Sequence, residues 1–595
     1  MKTKTTFLYA FLIIGFSIIF QVHNAIHGFD LTDEGFLLSL YQWFNKDINY
    51  AQGAGGYPLT CYLGSILNDI CSDCGILGMR LWGILIVTIT EIITFLYLKK
   101  YFPNMIILLG LLIQVMFLAG DPKPFGYNTL TAFLCILAII LLIEGILYNR
   151  KPWIFFAGIL LGINVFVRIP NIACLSFLII PFWANNTSFT DIQFHKPIKM
   201  AILALIGFII GMISVLLLMI HVGAGTLITD LISSIFGMLN GTSTHASSSM
   251  LSKYISNYIL SIECLIVFAI ATLISAYGMS LKKKWLRPFL FFISFIFLWL
   301  TTYKSCNELG DTIVALMNGL GIIGCCYYLD KGTRLRTISL SFILFSLILP
   351  LGSDQGFQTM WVGTWLSLPV GLCGLYELTG HTLGEGYKCI ILFQRDHDPL
   401  AKKNYSLSIP SLRTSYIICT VILIIAVGAK IEKHAYYDPD SKYSMNASIH
   451  SLKAKGIKTS QKRAEIINSL LLELKKYINT NDEILVYDSS PLIYYLTQTK
   501  PYAGINWPCL FYGANYVDKF TSAEKKSSHR PVLVLQHYRS SNEWSEPLDY
   551  YYSTKENKSF SSIEMSQKII DFINQNHYHA VWTNQYYEIL LPGMH

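Results

Sequence analysis

The chain has 595 residues, of which 53% are hydrophobic, 14% aromatic and only 14% charged. Soluble domains carry roughly 25% charged residues, and several apolar runs here approach or exceed the ~18 residues that mark a membrane-crossing helix. This composition excludes a soluble enzyme and predicts a polytopic membrane protein. The formal charge of +8 does not point to nucleic acid as a partner, because basic residues in such chains follow the membrane topology.

Apolar segments recur along the first 430 residues and predict about 13 transmembrane helices. Their expected boundaries are 7–23, 79–98, 104–120, 129–148, 153–167, 171–184, 199–222, 257–278, 287–302, 312–329, 337–351, 360–377 and 415–430. No small-x-small cleavage pattern follows the first segment, so we expect it to remain as an uncleaved span.

The basic residues predict which ends of these spans face the cytoplasm. They concentrate in alternate loops, such as Lys99-Lys100, Arg150-Lys151 and Lys282-Lys283-Lys284. Because cytoplasmic loops carry an excess of lysine and arginine, the pattern predicts an N-terminus inside and a C-terminus outside. We expect a multi-pass protein of a bacterial inner (cytoplasmic) membrane.

The first outside loop, residues 24–78, contains His27-Gly28-Phe29-Asp30-Leu31-Thr32-Asp33-Glu34-Gly35. Carboxylates just beyond a membrane span are costly without a use, and a carboxylate within reach of a hydroxyl can act as its general base. Asp33 and Glu34 are therefore candidate catalytic residues. Alternatively, Thr32 or Asp33 caps a helix. We expect short helices at 35–44 and 58–70 to lie along the membrane surface with their apolar faces down.

Other candidate residues fall on the same predicted side of the membrane. Asp121, in the turn Asp121-Pro122-Lys123-Pro124, could support an acceptor or a metal, although the prolines alone explain a turn. Arg168 suits phosphate recognition, or it extends toward lipid headgroups. The remaining candidates are Lys304, in a small charged cluster; Asp354, in a glycine-flanked loop; and Tyr57, beside the break Gly53-Ala54-Gly55-Gly56.

The chain contains 13 cysteines, most of them in apolar segments. Cys71 and Cys74 are the exception, since the topology places them outside. A disulfide between them suits an oxidising compartment, whereas a zinc site is disfavoured because no second ligand pair is nearby.

From about residue 431 the composition becomes that of a soluble domain. We expect a helix at 459–477 and another at 562–574, with a short helix at 491–497. The segments Glu483–Asp488, Pro531–Leu535 and Ala580–Trp582 are predicted strands. Alternating strands and helices favour an α/β layer domain over residues 431–595, following a membrane domain over residues 1–430.

This arrangement resembles the GT-C glycosyltransferases, in particular bacterial proteins akin to aminoarabinose transferases and protein mannosyltransferases. The resemblance is carried by Thr32-Asp33-Glu34-Gly35-Phe36, which matches the family's Asp-Glu-plus-aromatic motif. The segment Pro491–Thr497 followed by Lys500-Pro501 is also similar to such enzymes. The resemblance implies a GT-C-like fold and places the catalytic aspartate at Asp33.

The implied reaction moves a sugar from a polyprenyl-phosphate carrier to an acceptor hydroxyl on a glycan, lipid or protein, with inversion. Asp33 would be the general base, assisted by Glu34 and Asp121. Arg168, Lys304 and Lys123 would bind the donor phosphate, and Asp354 and Tyr57 would contact substrate. A divalent metal is compatible with this reaction but not required.

Two rival functions remain from the sequence alone. A transporter or lipid flippase for cell-envelope glycans would carry repeats, broken helices and ionisable groups near the membrane midplane. A non-catalytic assembly protein for surface polysaccharide would tolerate the loss of Asp33.

Overall fold

The computed structural model describes residues 2–120, 125–185, 195–227, 247–280, 311–351, 357–381, 409–435, 438–508, 514–526, 530–538 and 560–593, with isolated positions at 289, 292, 293, 296, 540 and 544. Before residue 434 the described chain is helical. Its α-helices are α1 (Lys2–Ala25), α2 (Asp33–Trp43), α3 (Pro58–Ile70), α4 (Gly75–Leu98), α5 (Asn104–Leu118), α6 (Tyr127–Leu147), α7 (Lys151–Val167), α8 (Ile180–Asn185), α9 (His195–His221), α10 (Ser247–Ser280), α11 (Asp311–Cys326), α12 (Thr333–Ile348), α13 (Phe357–His381) and α14 (Ile409–Lys433).

Within the described ranges, six helices are long and apolar enough to cross a membrane, and four shorter apolar helices accompany them. Large apolar side chains on three of the long helices are exposed, for example Phe11 (75%), Leu217 (60%) and Ile262 (58%). Helices that expose such side chains face lipid in a membrane, because a soluble surface of that size would associate. The chain is therefore a membrane protein, while the predicted number of 13 spans stays a prediction.

The segment after Arg168 departs from the predicted span at 171–184. It is a 3-10 helix from Ile169 to Ile179 that continues into α8. Pro170 lies in the first turn, where its missing N–H costs nothing. A 3-10 helix rises ~2.0 Å per residue, so this segment advances farther per residue than an α-helix.

Two other predictions for the membrane region have different outcomes. Before the expected span at 257–278 the chain is already helical from Ser247, where α10 begins ten residues earlier than predicted. The predicted span at 287–302 lies almost wholly outside the described residues.

Helices α7 and α9 are brought together by glycines. A Cβ at Gly158 or Gly162 would collide with the α9 backbone at Ala204 and Phe208, and one at Gly207 or Gly211 would collide with the α7 backbone. Both helices thus carry the small-xxx-small spacing that lets membrane helices approach closely.

The C-terminal domain begins directly after Lys433. Its elements are β1 (His434–Ala435), β2 (Asp438–Ser441), β3 (Ala447–Ser448), β4 (Lys458–Thr459), α15 (Gln461–Leu474), β5 (Glu483–Tyr487), α16 (Leu492–Thr497), β6 (Lys500–Pro501), α17 (Ala514–Lys526), β7 (Val532–Gln536), α18 (Phe560–Gln575), β8 (His579–Thr583) and β9 (Tyr587–Leu591). The main sheet has the order β6-β5-β7-β9-β8, with β5 parallel to β6 and β7, and β9 antiparallel to β7 and β8. The predicted α/β domain is confirmed.

The two faces of this sheet belong to different cores. Leu485 and Leu533 pack with Phe520 and Phe572 of the flanking helices α17 and α18. The alternate residues Ile484 and Val486 belong instead to the core that continues into the membrane helices. Because side chains alternate along a strand, one face of the sheet covers the membrane region.

This covering corrects the expectation for the helix predicted at 35–44. It forms as α2, but every residue from Glu34 to Trp43 is buried. An interfacial helix would expose its polar face to water. Here the C-terminal domain occupies that face, so α2 lies between the membrane helices and the sheet domain.

Candidate functional site

The loop that joins α1 to α2, residues 26–32, is ordered by the carboxylate of Asp30. Its Oδ1 accepts from the Thr32 N–H (2.8 Å) and Thr32 Oγ1 (2.6 Å), and its Oδ2 accepts from the Glu34 N–H (2.8 Å). Thr32 occupies the N-cap position without a side-chain cap bond. Asp30 therefore satisfies N–H groups that begin α2, the task expected of Thr32 or Asp33.

The Asp30 side chain is 1% exposed. Burial raises the pKa of its carboxyl, while its hydrogen bonds and the nearby charge of Arg463 oppose that rise. These contacts make it a structural group of the turn.

Glu34 forms a buried ion pair with Arg80 of α4. Arg80 Nε and Nη2 donate to the two Glu34 carboxylate oxygens at 2.7 and 2.6 Å, and the side chains are 4% and 0% exposed. The same guanidinium donates to the carbonyls of Ala25 (2.6 Å) and Gly28 (2.9 Å). Arginine's planar fork can serve several acceptors at once, so Arg80 fixes both ends of the loop.

Asp33 differs from its two acidic neighbours. Asp30 and Glu34 are each 1% exposed, whereas Asp33 is partly exposed at the first position of α2. The positive end of the helix dipole favours a carboxylate at that position. The fold thus buries Asp30 and Glu34, which support the loop, and leaves Asp33 accessible to solvent.

The C-terminal domain closes directly over this turn. The Leu492 N–H donates to the Leu31 carbonyl at 3.1 Å, and Asn506 Nδ2 donates to the Phe36 carbonyl at 2.9 Å. A Cβ at Gly35 would collide with the Leu492 backbone. Glycine at 35 is therefore required for the close approach of α2 and α16.

A row of aromatic rings leads away from α2. Phe36 contacts Trp507 (5.9 Å between centroids) and Tyr57 (6.3 Å), and Tyr57 stacks on Tyr127 at 4.5 Å. Phe36 is about one helical turn from Asp33. Tyr57, predicted to contact substrate, therefore lies in the same assembly as Asp33.

Arg168, at the end of α7, interacts electrostatically with Tyr127 and Tyr57 of this row. It is 5% exposed, and its Nη1 donates to Asn128 Oδ1 at 3.2 Å. Its Nη2 is buried without a hydrogen-bond partner among the described residues. Burial lowers the pKa of the guanidinium, and the Tyr127 and Tyr57 hydroxyls oppose that shift. A buried cation with an unsatisfied donor is suited to an anionic ligand.

Hydrogen bonds from side-chain hydroxyls to backbone carbonyls place Arg168 at the same end of the helix bundle as Asp33. Thr60 of α3 donates to the carbonyl of Val167 (2.9 Å), and Tyr41 of α2 donates to the carbonyl of Phe125 (2.7 Å). The segments flanking Arg168 and Tyr127 therefore meet α2 and α3.

Four predicted site residues lie outside the described residues. These are Asp121, Lys123, Lys304 and Asp354. Their predicted roles stay predictions.

Cys71 and Cys74 form a disulfide at the junction of α3 and α4. In the part of the chain that the structure describes, no group of three or more His, Cys, Asp or Glu side chains is arranged to hold a metal ion.

No protein-family model matches the chain, and no curated protein matches it. Among solved structures, the chain is similar to the oligosaccharyltransferase of Archaeoglobus fulgidus tethered by a disulfide bond to an acceptor peptide with the NVT sequon. That match has 10% identity and a TM-score of 0.41, and it covers 89% of this chain and 69% of that one. The same enzyme in complex with Zn and sulfate matches at 10% identity and a TM-score of 0.43, over 88% and 68% of the two chains. At this identity and TM-score the likeness does not identify the activity of this chain.

Proposed function

We propose that this chain is a membrane glycosyltransferase of the GT-C type. It transfers a sugar from a polyprenyl-phosphate carrier to a hydroxyl of a glycan, lipid or protein at the extracytoplasmic face. The observation that carries the proposal is the pairing, at one end of the bundle, of an accessible carboxylate on a fixed turn with a buried arginine. Transfer from a lipid phosphate needs a base for the acceptor and a cation for the leaving group.

Asp33 acts as the general base. It takes the proton of the acceptor hydroxyl while the acceptor oxygen attacks the anomeric carbon of the sugar. The bond between that carbon and the phosphate oxygen breaks, and the phosphate leaves with the electron pair. A single displacement inverts the anomeric configuration.

Arg168 stabilises the charge that develops on the departing lipid phosphate, since its Nη2 has no protein partner among the described residues. A fixed cation in a site shielded from water acts more strongly than one in solvent. Lys123 and Lys304 complete the phosphate site in this proposal, and Asp121 supports the acceptor. Tyr57, with its ring stacked on Tyr127, contacts the sugar together with Asp354.

We propose a structural role for Glu34, whereas its position beside Asp33 in the sequence suggests a catalytic one. Because both of its oxygens accept from Arg80, we assign it to the support of the turn. Asp33 alone then carries the proton transfer.

The deciding experiment compares Asp33→Asn with wild type, using a panel of labelled polyprenyl-phosphate sugars at matched expression. Removal of a general base lowers a rate by about 10²- to 10⁴-fold, so we expect at least a hundredfold loss of transfer. Asp69→Asn is the matched control, because Asp69 is an exposed acid at the end of α3 that contacts Lys46 at 3.8 Å. Full activity of Asp33→Asn would refute the mechanism.

A further inference from the structure

A buried ion pair of the C-terminal domain holds the backbone of Phe29, four residues before Asp33. Asp438 of β2 accepts from the Phe29 N–H at 3.0 Å, and Arg463 of α15 donates to the Phe29 carbonyl at 3.0 Å. Arg463 Nε lies 3.2 Å from Asp438 Oδ1, and the side chains are 2% and 0% exposed. The pair thus engages both polar groups of one peptide residue.

The ion pair is itself fixed by its own domain. Thr459 Oγ1 donates to Asp438, and Arg463 Nη2 donates to the Ser540 carbonyl at 2.6 Å. The guanidinium also lies over the ring of Trp544, 4.7 Å from its centroid. Buried ion pairs contribute little net stability compared with apolar side chains of similar size. Stability alone therefore gives no reason for placing these charges against Phe29.

The membrane region holds the same loop through a second buried ion pair. Arg80 of α4 binds the carbonyls of Ala25 and Gly28 together with Glu34. Lys458 of the C-terminal domain adds two backbone bonds, accepting from the Gly28 N–H (2.8 Å) and donating to the Ile26 carbonyl (2.7 Å). The segment that precedes Asp33 is consequently fixed by two buried ion pairs from different parts of the chain.

We infer that Asp438 and Arg463 are positioning residues for the transfer reaction, acting through the backbone of Phe29 on the placement of Asp33. This inference rests on the proposed function and deepens it. It makes the C-terminal domain part of the catalytic apparatus, in addition to any contact it makes with an acceptor. Catalytic groups must be held within a fraction of an ångström of their working position.

The kinetic test measures transfer by Arg463→Met in the full-length protein. A displacement of about 1 Å can cost about 100-fold in rate, so we expect kcat to fall by ~10- to 100-fold while the KM for the donor changes less than about twofold. Lys568→Met is the control, because Lys568 forms an ion pair with Glu524 (2.9 Å) between α17 and α18. We expect that variant to keep its kcat.

A double variant separates positioning from folding. Arg463→Met leaves the Asp438 charge buried and uncompensated, which is strongly destabilising. Adding Asp438→Asn removes that charge, so we expect the melting temperature to recover while kcat stays low. If kcat returns together with the melting temperature, the pair is only structural and the inference is overturned.

Amide hydrogen exchange tests the same inference without any assay of transfer. We expect the segment 28–36 to exchange at least tenfold faster in the double variant than in Lys568→Met. Unchanged exchange overturns the positioning role. Should Asp33→Asn prove fully active, the proposed function fails, while the exchange result still reports whether the ion pair orders this loop.

Discussion

Asp30, Asp33 and Glu34 carry the same chemical group within five residues, but their surroundings differ and so do their roles. Asp30 is buried and bonded to the start of α2, Glu34 is neutralised by Arg80, and Asp33 is partly exposed between them. A carboxylate that already accepts charged hydrogen bonds on both oxygens is a poor base. With Asp30 and Glu34 buried, Asp33 is the accessible carboxylate of this turn.

A second buried charged residue, Lys442, leads to a prediction about how stability depends on pH. Lys442 is 5% exposed and donates to Asn24 Oδ1 and to the Ile431 carbonyl, so it joins the ends of α1 and α14. Burial lowers the pKa of its ammonium group to about 8. Above that pH the folded chain has lost a proton that the unfolded chain retains until about pH 10.5.

Stability should therefore rise with pH across this interval, because the unfolded state binds more protons. Between about pH 8 and about pH 10.5 the free energy of unfolding of wild type should increase by roughly 2–3 kcal/mol more than that of Lys442→Met, at ~1.4 kcal/mol for each pKa unit. Thermal unfolding in detergent at both pH values measures it, with the exposed Lys455→Met as control. Parallel pH profiles for wild type and Lys442→Met would contradict the prediction.

The sequence singles out Asp33 but not the groups that hold it. Asp30 is one of several outside acids, although its spacing to Thr32 is typical of an Asx turn. Arg80 lies six residues into α4, where a buried charge requires a partner, and that signal is present in the sequence. The partner Glu34 is 46 residues away, and Arg463 is 434 residues from Phe29, so neither pairing can be derived from a local pattern.

Among the elements, α2 depends most on its contact with the C-terminal domain. Alanine is a better helix former than glycine by ~1 kcal/mol, so Gly35→Ala would stabilise an exposed helix. Here the new Cβ would lie 2.6 Å from the Leu492 Cα. We expect a loss of about 1–3 kcal/mol in unfolding free energy from overpacking, accompanied by reduced transfer.

Gly15→Ala provides the matched control for this change. Gly15 lies in α1, and apart from the adjacent backbone of that helix no described atom lies within 4 Å of the position that a Cβ would take there, so its variant should be neutral or slightly more stable. Denaturant or thermal unfolding of both variants gives the comparison. Equal stability of Gly35→Ala and wild type would mean that α2 and α16 are less tightly apposed.

Strands and helices with strong periodicity are predictable from the sequence, and those fixed by tertiary contacts are not. The expected strands at 483–488 and 531–535 correspond to β5 and β7, and the helix at 58–70 forms as predicted. Strand β9 is not predicted because its turn carries no glycine. Asn584 instead makes the turn by accepting from the Tyr586 and Tyr587 N–H groups at 2.8 and 2.7 Å.

For the whole molecule, the predicted fold class of membrane helices followed by an α/β domain is confirmed. The Ala25 end of α1 lies beside the C-terminal domain, since the Ile26 carbonyl accepts from the Lys458 N–H. Lys2 begins the opposite end of this 24-residue helix. Which end faces the cytoplasm stays a prediction, based on the basic residues.

Labelling with a membrane-impermeant maleimide in intact cells tests that orientation. Leu452 of the C-terminal domain is 81% exposed, and Tyr148, just beyond the far end of α6, is 47% exposed. In a background whose reactive cysteines are replaced by serine, Leu452→Cys should label in intact cells. Tyr148→Cys should label only after permeabilisation, and the reverse result would invert the topology.

The long-range bonds to the α1–α2 loop have a consequence for biosynthesis. Phe29 is bound by residues 409 and 434 positions later, and Phe36 by a residue 470 positions later. While the ribosome is still translating the membrane helices, none of these partners exists. The acidic turn can thus become ordered only after the C-terminal domain has been made, so a nascent or truncated chain already inserted in the bilayer would lack these bonds.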